Sequence, residues 1–354
     1  MREFTYSSQP SRIVFGAGKV AALKEEIEAL GATNVLFCCT PGRREEVERL
    51  ASTVGNLAAG ICAVAKLYVP IEVAEEGRRM ARKVGADALV SYGGGTAIGL
   101  GKAIALEHDI PLISVVTTYS GSETTSMQGM LENGAKVLHK SPRMLPKTVI
   151  YDPDLTVGLP VEVAIPSGIN AMAHAVEAFY AEGANPVSSI IAEEGIRAMA
   201  SALPRIALDP ADGEARADGL YGAWLCGVPL VTTGVALHHK ACHVVGGSFD
   251  LPHAETHTVI LPHATAYNAE VAGDAMARIA DALDAEDAAG GIFDLLQRIG
   301  APTALKDLGM PEDGIDKAAE AIVAQPYFNP RPVELRPVRA MLEDAWHGRR
   351  PRTH

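Results

Sequence analysis

Six of the eleven histidines of this 354-residue chain fall within one short segment. They are His238, His239, His243, His253, His257 and His263. Several imidazoles together with an amide or a carboxylate are a common ligand set for a divalent transition metal. An imidazole beside a reacting atom can also donate or relay a proton near neutral pH. The segment therefore predicts a metal centre or a proton-relay site, and the residues alone leave both open.

Helical spacing connects some of these histidines with an earlier segment. Asn170 and His174 are four residues apart, and so are His239 and His243. Residues at this spacing share one face of a helix, so each pair can point at one spot. Four histidines are therefore expected in a functional site, His174, His239, His243 and His253. Three are expected to be hydrogen-bonded core residues, His238, His257 and His263.

A glycine-rich turn follows a buried apolar run in LVSYGGGTAIGLGK. Gly93, Gly94 and Gly95 allow close approach of a ligand to the backbone, and Thr96 stands at the start of a helix. The free N–H groups and the dipole of a helix N-terminus favour an anion such as a pyrophosphate. We therefore predict that this turn binds a nucleotide; a tight strand-to-helix turn without a ligand is the alternative.

A hydroxyl-rich turn follows the next apolar strand, which ends in Thr117 and Thr118 and continues into Ser120-Gly121-Ser122. Ligands of open α/β sheets bind at the carboxyl ends of strands, so this turn and the glycine turn can face one ligand. A turn that caps a helix is the alternative. Near the N-terminus, Gly16-Ala17-Gly18 lacks the third glycine of a dinucleotide fingerprint and is interpreted as a structural turn.

Two domains are expected to position these residues. Residues 1–156 alternate short β-branched runs with helical patterns and predict a doubly wound α/β domain with a parallel sheet. Residues 157–354 predict an all-α domain, with Pro153 and Pro160 marking the boundary. The predicted strands are residues 12–15, 34–39, 61–67, 88–91, 112–116 and 148–151. The predicted helices of the first domain are residues 20–30, 43–51, 71–84 and 98–107.

Composition and charge exclude several classes of protein. The formal net charge of −12 repels nucleic acid and anionic membranes. Mean hydropathy is +0.11, and no apolar run reaches the roughly 18 residues that a transmembrane helix needs. The N-terminus lacks the apolar region of a signal peptide, and the five cysteines without C-x-x-C spacing favour free thiols. We therefore expect a cytoplasmic protein without nucleic-acid or membrane partners.

The order of motifs resembles the iron-containing alcohol dehydrogenase superfamily, with its dehydroquinate synthase-like fold, over nearly the whole chain. The motifs are GGGT, TTYSGSE, DPDLTVGLP, INAMAHAVEA and HHKACHVVGGSFDLPHAETHTVILPHATAYN. The resemblance implies an NAD(P)-dependent oxidoreductase that forms homodimers. It also places the family's metal ligands, an Asp and three His, on Asn170, His174, His239 and His253, with His243 as a further family histidine beside the nicotinamide.

Asn170 departs from the family pattern, because a neutral amide replaces the carboxylate ligand. With the short TTYSGSE loop and the NPRPV segment, this change is similar to the maleylacetate reductase branch, whose members are described as working without added metal. The resemblance then implies reduction of maleylacetate, a small dicarboxylate, to 3-oxoadipate in the breakdown of aromatic compounds, with no metal required. The catalytic residues it implies are His243, His253, His239, His174 and Asn170.

Other residues are assigned by type and motif position. Gly99 stands where the family usually has Asp, and Thr40 where NAD-preferring members have an acidic residue, so NADH, NADPH or both are expected as cofactors. The predicted nucleotide-binding residues are Thr40, Gly93, Gly94, Gly95, Thr96, Thr117, Thr118, Ser122 and Lys136. Candidate anchors for the substrate carboxylates are Tyr119, Tyr327, Arg331 and, by type, Lys136. Arg331 can alternatively brace the C-terminal turn.

Three other functions stay open at this point. One is a metal-dependent NAD(P) alcohol or polyol dehydrogenase, which turnover of maleylacetate rather than small aldehydes would exclude. Another is a lyase on the dehydroquinate synthase plan, which returns its cofactor unchanged. The last is a nucleotide-binding module without turnover. Net consumption of NADH would exclude the lyase and the binding module.

Overall fold

The computed structural model describes residues 3–9 and 11–353, which divide into two compact units. The α/β unit comprises residues 8–159 except residue 10, and the helical unit comprises residues 160–353 together with residues 3–7. The division falls between Leu159 and Pro160, near the predicted boundary at the two prolines.

The α/β unit is built on one parallel sheet. Its strands are β1 Arg12–Phe15, β2 Val35–Cys38, β3 Ala58–Cys62, β4 Ala88–Gly93, β5 Leu112–Val116, β6 Met127–Glu132, β7 Ala135–Lys140 and β8 Thr148–Tyr151. Its helices are α1 Leu23–Ala29, α2 Arg44–Val54, α3 Ile71–Val84 and α4 Gly95–His108. Six strands pair in parallel in the order β1-β8-β5-β4-β2-β3. β4 and β5 are buried throughout, as strands covered by helices on both faces must be.

Several boundaries in this unit differ from those predicted, and the differences at β3 and α4 have a clear physical reason. β3 begins at Ala58 and ends at Cys62, whereas the predicted strand is residues 61–67. The run Ala58-Ala59-Gly60 has low β-propensity. A prediction from sequence therefore places the strand later in the chain, where β-branched residues follow. α4 begins at Gly95 rather than at residue 98, because Gly94 serves as its N-cap and the glycines enter the helix.

β6 and β7 form an antiparallel hairpin that is absent from the predicted elements. Glu132 pairs with Ala135, so the loop between the strands is Asn133-Gly134. The φ angles of these two residues are 50° and 79°, as a type I′ turn requires, and Asn-Gly is the preferred pair for that turn. The hairpin therefore had a local signal in the sequence.

The helical unit contains no strand within its described residues. Its helices are α5 Val161–Ala178, α6 Pro186–Leu208, α7 Gly213–Gly227, α8 Leu230–Thr233, α9 Leu237–Phe249, α10 His253–Ala269, α11 Gly273–Leu283, α12 Ala288–Arg298, α13 Gly314–Val323 and α14 Leu335–His347. Leu237, Val259 and Leu342 belong to a buried core shared by α9, α10, α13 and α14. The predicted fold class, a doubly wound α/β unit followed by an all-α unit, is confirmed.

The basic residues after α14 fold back onto that helix. Asp344 is 1% exposed and accepts hydrogen bonds from the guanidinium groups of Arg349 (3.2 Å) and Arg352 (2.8 and 2.9 Å). A buried carboxylate is thereby compensated by two cations from the tail.

None of the described helices is by itself long and apolar enough to cross a membrane. One bent pair, Gly213–Thr233 with Leu237–Phe249, meets the length and composition criteria when taken together.

Candidate active site

The glycine turn is shaped by close approach of two loops in the α/β unit. Gly93 has a φ of 142°, and a Cβ on it would lie 2.9 Å from Cβ of Ala97. A Cβ on Gly94 would lie 2.7 Å from Cγ2 of Thr118. The backbone N–H of Thr117 donates to the carbonyl oxygen of Gly93 at 3.1 Å. The two predicted loops are therefore in contact, and the contact requires glycine.

Most of the predicted nucleotide residues lie at one edge of the six-stranded sheet, whereas Lys136 lies on strand β7 of the hairpin. Thr40, Gly94 and Thr118 follow the carboxyl ends of β2, β4 and β5, which are neighbours. Gly94 and Gly95 are half-buried, as are Thr40, Thr96, Thr118 and Ser122. α4 has no side-chain cap and no acidic residue in its first turn, so the N–H groups at its N-terminus can receive an anion.

Two buried ionisable side chains, Lys102 and Glu123, support the hydroxyl-rich loop from behind. Lys102 Nζ donates to the carbonyl oxygen of Ser122 (2.8 Å) and to Oγ1 of Thr125 (2.9 Å). Ser120 Oγ donates to Oε2 of Glu123 (3.0 Å). Burial lowers the pKa of Lys102 to about 7 and raises the pKa of Glu123 to about 7. Neither residue is among those predicted from the sequence, although both lie inside the quoted motifs.

Helices α5, α9 and α10 bring the four predicted histidines into one cluster. Ring centroids are 5.1 Å apart for His174 and His239, and 6.3 Å apart for His239 and His243. His257 lies 5.1 Å from His239 and 4.5 Å from His253, and so connects α9 with α10. We call His174, His238, His239, His243, His253 and His257 the histidine cluster.

The three histidines expected in the core have two different surroundings. His238 Nε2 and His257 Nδ1 are hydrogen-bonded at 2.9 Å, and burial lowers the pKa of both rings well below the usual value. These two rings are thus buried and neutral, as core residues are, yet they also contact the functional histidines. His263 lies apart, buried against Phe293 with the ring centroids 6.5 Å apart.

Glu177 is the main residue of the cluster that the sequence-based prediction omits. Its carboxylate accepts hydrogen bonds from the backbone N–H groups of Ala236 (2.8 Å) and His238 (2.7 Å), at the start of α9. His239 Nδ1 lies 2.6 Å from Oε2 of Glu177. An ionised carboxylate at this distance requires a proton on Nδ1, so in the neutral ring Nε2 carries the lone pair. Glu177 therefore fixes both the beginning of α9 and the tautomer of His239.

Three imidazole nitrogens of the cluster have no hydrogen-bond partner among the described residues. They are His174 Nδ1, His239 Nε2 and His257 Nε2, all buried. Burial, with the neighbouring His239 and His253, lowers the pKa of His174 well below its usual value. Asn170 is 7% exposed and lies one turn before His174 on α5. The His174 ring is thus neutral, and both His174 and His239 have a buried nitrogen that no described residue occupies.

The residues at the family's metal positions do not fit a resident divalent cation well. Asn170 supplies no charge, and the carboxylate of Glu177 is occupied by α9 and His239. In the described part of the chain, one triad of His, Cys or carboxylate ligand atoms lies within 4.8 Å, and it is His238, Cys242 and His257. Positions 174, 239 and 253 do not form such a triad, so no chemistry is assigned to a metal here.

The predicted substrate anchors differ in accessibility. Tyr119 has no exposed area, and its hydroxyl lies 3.4 Å from Oγ1 of Thr156, so this structure gives a solute no access to it. Arg331 donates to the carbonyl oxygen of Tyr267 at 3.0 Å and stacks on the Tyr267 ring, which matches the bracing role. Tyr327 is half-buried, and its hydroxyl lacks a partner among the described residues. The side chain of Lys136 lies outside the described part of the structure.

A parallel sheet that presents a glycine turn is typical of nucleotide-binding proteins, and clustered imidazoles in a helical unit are typical of enzymes that transfer protons or bind a metal. Comparison with known proteins agrees. Residues 10–153 match the family described as iron-containing alcohol dehydrogenase, and residues 164–346 match the Fe-containing alcohol dehydrogenase family, C-terminal. The chain therefore belongs to the iron-containing alcohol dehydrogenase family, as the resemblance predicts, and it is an oxidoreductase.

Individual relatives are similar over the full length. Maleylacetate reductase from Burkholderia cepacia is 50% identical over 351 residues, which are 99% of this chain and 100% of that protein. The crystal structure of maleylacetate reductase from Agrobacterium tumefaciens is 48% identical with a TM-score of 0.97, covering 99% of this chain and 100% of that chain. The corresponding structure from Rhizobium sp. is 47% identical with a TM-score of 0.96 and the same coverage.

Proposed function

We propose that this protein reduces the carbon–carbon double bond of maleylacetate to give 3-oxoadipate, with NADH or NADPH as the hydride donor. The observation that carries the proposal is the donor set of the histidine cluster, which offers imidazoles and the neutral amide of Asn170 where the family's metal positions lie. The full-length similarity to maleylacetate reductases supports the choice of substrate.

The reaction needs a hydride, a proton and stabilisation of a transient charge. A bound reduced nucleotide would supply the hydride, which would form a C–H bond at the alkene carbon remote from the ketone while the π electrons of the substrate move onto the ketone oxygen as an enolate. A proton then adds to the other alkene carbon and restores the ketone. The products are 3-oxoadipate and oxidised nucleotide. Proton-bearing groups at the enolate lower the barrier most when they are preorganised.

His243 is the proton donor in this proposal. It is exposed, whereas His174 and His239 are buried, so it can regain a proton from solvent after each turnover. His253, which is half-buried, is placed to share the charge through its contact with His257. His174, His239 and Asn170 shape the inner wall of the site, and the neutral state of His174 keeps that wall from repelling a proton on His243.

The nucleotide binds at the glycine turn in this proposal, with its pyrophosphate at the N-terminus of α4. Thr40 has no charge to repel a 2′-phosphate, which supports acceptance of both NADH and NADPH. We extend the proposal to a cytoplasmic homodimer that acts in aromatic-compound catabolism. The five cysteines, all buried free thiols, are consistent with a reducing compartment.

The test is oxidation of NADH and NADPH by purified protein with maleylacetate, compared with short aldehydes. We expect consumption of nucleotide with maleylacetate and formation of one 3-oxoadipate per nucleotide oxidised. Turnover of aldehydes without turnover of maleylacetate would replace the proposal with an alcohol dehydrogenase. Nucleotide binding without any consumption would leave a lyase or a binding module.

A metal-dependent alcohol dehydrogenase is a second candidate, since His239 Nε2 and His174 Nδ1 are buried nitrogens without a protein partner among the described residues. Metal analysis of the purified protein, with activity measured before and after chelation, separates the two. We expect turnover of maleylacetate to survive chelation. Stoichiometric iron or zinc whose removal abolishes activity favours the second candidate.

A further inference from the structure

The helices that carry the histidine cluster contain very few lysine or arginine residues. α5, α9 and α10 together contain a single lysine or arginine, and it is Lys240. It follows His239 directly and precedes His243 by three residues. On an α-helix this places its Cα about 100° from that of His239 and about 60° from that of His243 around the axis. The permanent positive charge of these helices therefore lies beside the face that carries the reactive imidazoles.

The ammonium group of Lys240 contacts an aromatic ring and no carboxylate. Its Nζ lies 5.7 Å from the centroid of the Tyr327 ring. The ion pairs found among the described residues do not include Lys240, although the side chain is half-buried. By contrast, Arg331 and Arg278 pair with Glu270 and Glu193. Lys240 is thus a local positive charge that can attract an anion, although the overall field of a chain of net charge −12 is unfavourable to anions.

Tyr327 supplies the aromatic ring that contacts this cation. Its hydroxyl is buried and has no partner in the described part of the chain. Burial raises its pKa, so the phenol keeps its proton. The segment is tied to α9 through Asn329, whose Oδ1 accepts from the backbone N–H of Leu237 at 3.3 Å. Tyr327 is thus held close to Lys240 by a neighbouring contact.

We propose that Lys240 binds one carboxylate of the substrate, with its ammonium group positioned by the Tyr327 ring, and so selects dicarboxylates over simple carbonyl compounds. This assignment rests on the proposed reduction of maleylacetate. A carboxylate held at Lys240 would place the rest of a short chain within reach of the neighbouring face of α9, where His243 lies. Arg331 is also a predicted anchor for a substrate carboxylate, but its guanidinium already donates to the carbonyl oxygen of Tyr267. In this proposal Lys240 takes the role of the anchor.

The test compares Lys240→Gln with Lys306→Gln. Lys306 is a matched control, because its Nζ also lies over an aromatic ring, 5.9 Å from the centroid of Trp346, but it is exposed and distant in sequence from the cluster. A lost charge-assisted hydrogen bond predicts a rise of about 10- to 100-fold in the KM for maleylacetate with Lys240→Gln. The KM for NADH and the kcat should stay within about threefold. Lys240→Arg should restore much of the affinity, and Lys306→Gln should behave as wild type.

Unchanged KM for maleylacetate in Lys240→Gln overturns the assignment, as does an equal rise in Lys306→Gln. Binding of adipate to the protein saturated with NAD⁺, measured by calorimetry, gives a readout that needs no turnover. The assignment is supported, even if maleylacetate is not reduced, when two results are found together. Lys240→Gln binds adipate more weakly than wild type does, and it binds the monomethyl ester of adipate no more weakly than wild type does. Equal binding of adipate by both proteins, or by neither, overturns it. Failure of wild type to oxidise NADH with maleylacetate, in contrast, refutes the proposed reaction itself.

Discussion

The glycine turn and the histidine cluster are built in different ways. The turn is made of backbone, from loops that follow adjacent strands, and its shape depends on the absence of side chains at Gly93 and Gly94. The cluster is made of side chains from three helices, and its orientation depends on Glu177, which is 62 residues before His239. Local sequence therefore specifies the first site, whereas the second exists only after distant helices have packed.

The sharpest separation of the two sites is expected from His243→Ala. If the cluster supplies the proton, kcat should fall by about 100- to 10,000-fold while nucleotide affinity is unchanged. Stopped-flow measurement of nucleotide binding and steady-state turnover of maleylacetate report the two quantities. His347→Ala, at the end of α14, serves as the control and should retain activity. Wild-type turnover by His243→Ala would remove the proton-donor role.

Glu177→Gln tests whether long-range positioning matters for the cluster. The amide places a donor or a single acceptor where two oxygens now serve α9 and His239, so we expect a loss of about 10- to 100-fold in kcat. Nitrogen chemical shifts of His239 should show a changed tautomer, which a purely structural defect would not produce. A variant that keeps both the tautomer and the activity contradicts this role.

Gly94→Ala tests whether the turn depends on close backbone approach. The added methyl group would collide with Thr118, and overpacking of about 1–3 kcal/mol predicts a rise of roughly 5- to 150-fold in the KM for NADH. Gly158→Ala is the matched control in the same unit, since a Cβ there has no neighbour within 4 Å. Equal behaviour of both variants would show that the turn tolerates a side chain.

The smallest effect of the proposed substitutions is expected at Glu123, which is buried with Lys102 behind the hydroxyl-rich loop. The folded-state pKa of Glu123 is raised from 4.5 to about 7, so the folded protein holds a proton that the unfolded chain releases in that window. Its contribution to stability is therefore present below pH 4.5 and is lost as the pH rises toward 7. Glu123→Gln cannot titrate, and it should flatten the change in thermal midpoint between pH 5 and pH 7 by about 2–4 °C. An identical pH profile for both proteins would place the proton elsewhere.

The sequence predicted what local patterns encode. The bounds of β1, β5 and β8 agree with the predicted strands, because each is a short β-branched run. The hairpin had an equally local signal in Asn133-Gly134 that lies outside the helix-strand alternation. Glu177 is three residues after His174 on α5, so its spacing could have predicted a residue on the same face of the helix. Its contact with α9 depends on how the two helices pack, which the sequence of neither helix encodes. Tyr119 has a suitable chemical type for a substrate anchor, and its complete burial in this structure is a feature that no motif reveals.

The ion pairs between Asp344 and the C-terminal residues Arg349 and Arg352 limit where the chain can be truncated without loss of stability. A protein ending at Gly348 would lack Arg349 and Arg352, and the carboxylate of Asp344, now 1% exposed, would lose both guanidinium partners. The six residues after Gly348 resemble a dispensable basic tail, yet their removal would leave a buried carboxylate without these partners and so destabilise α14.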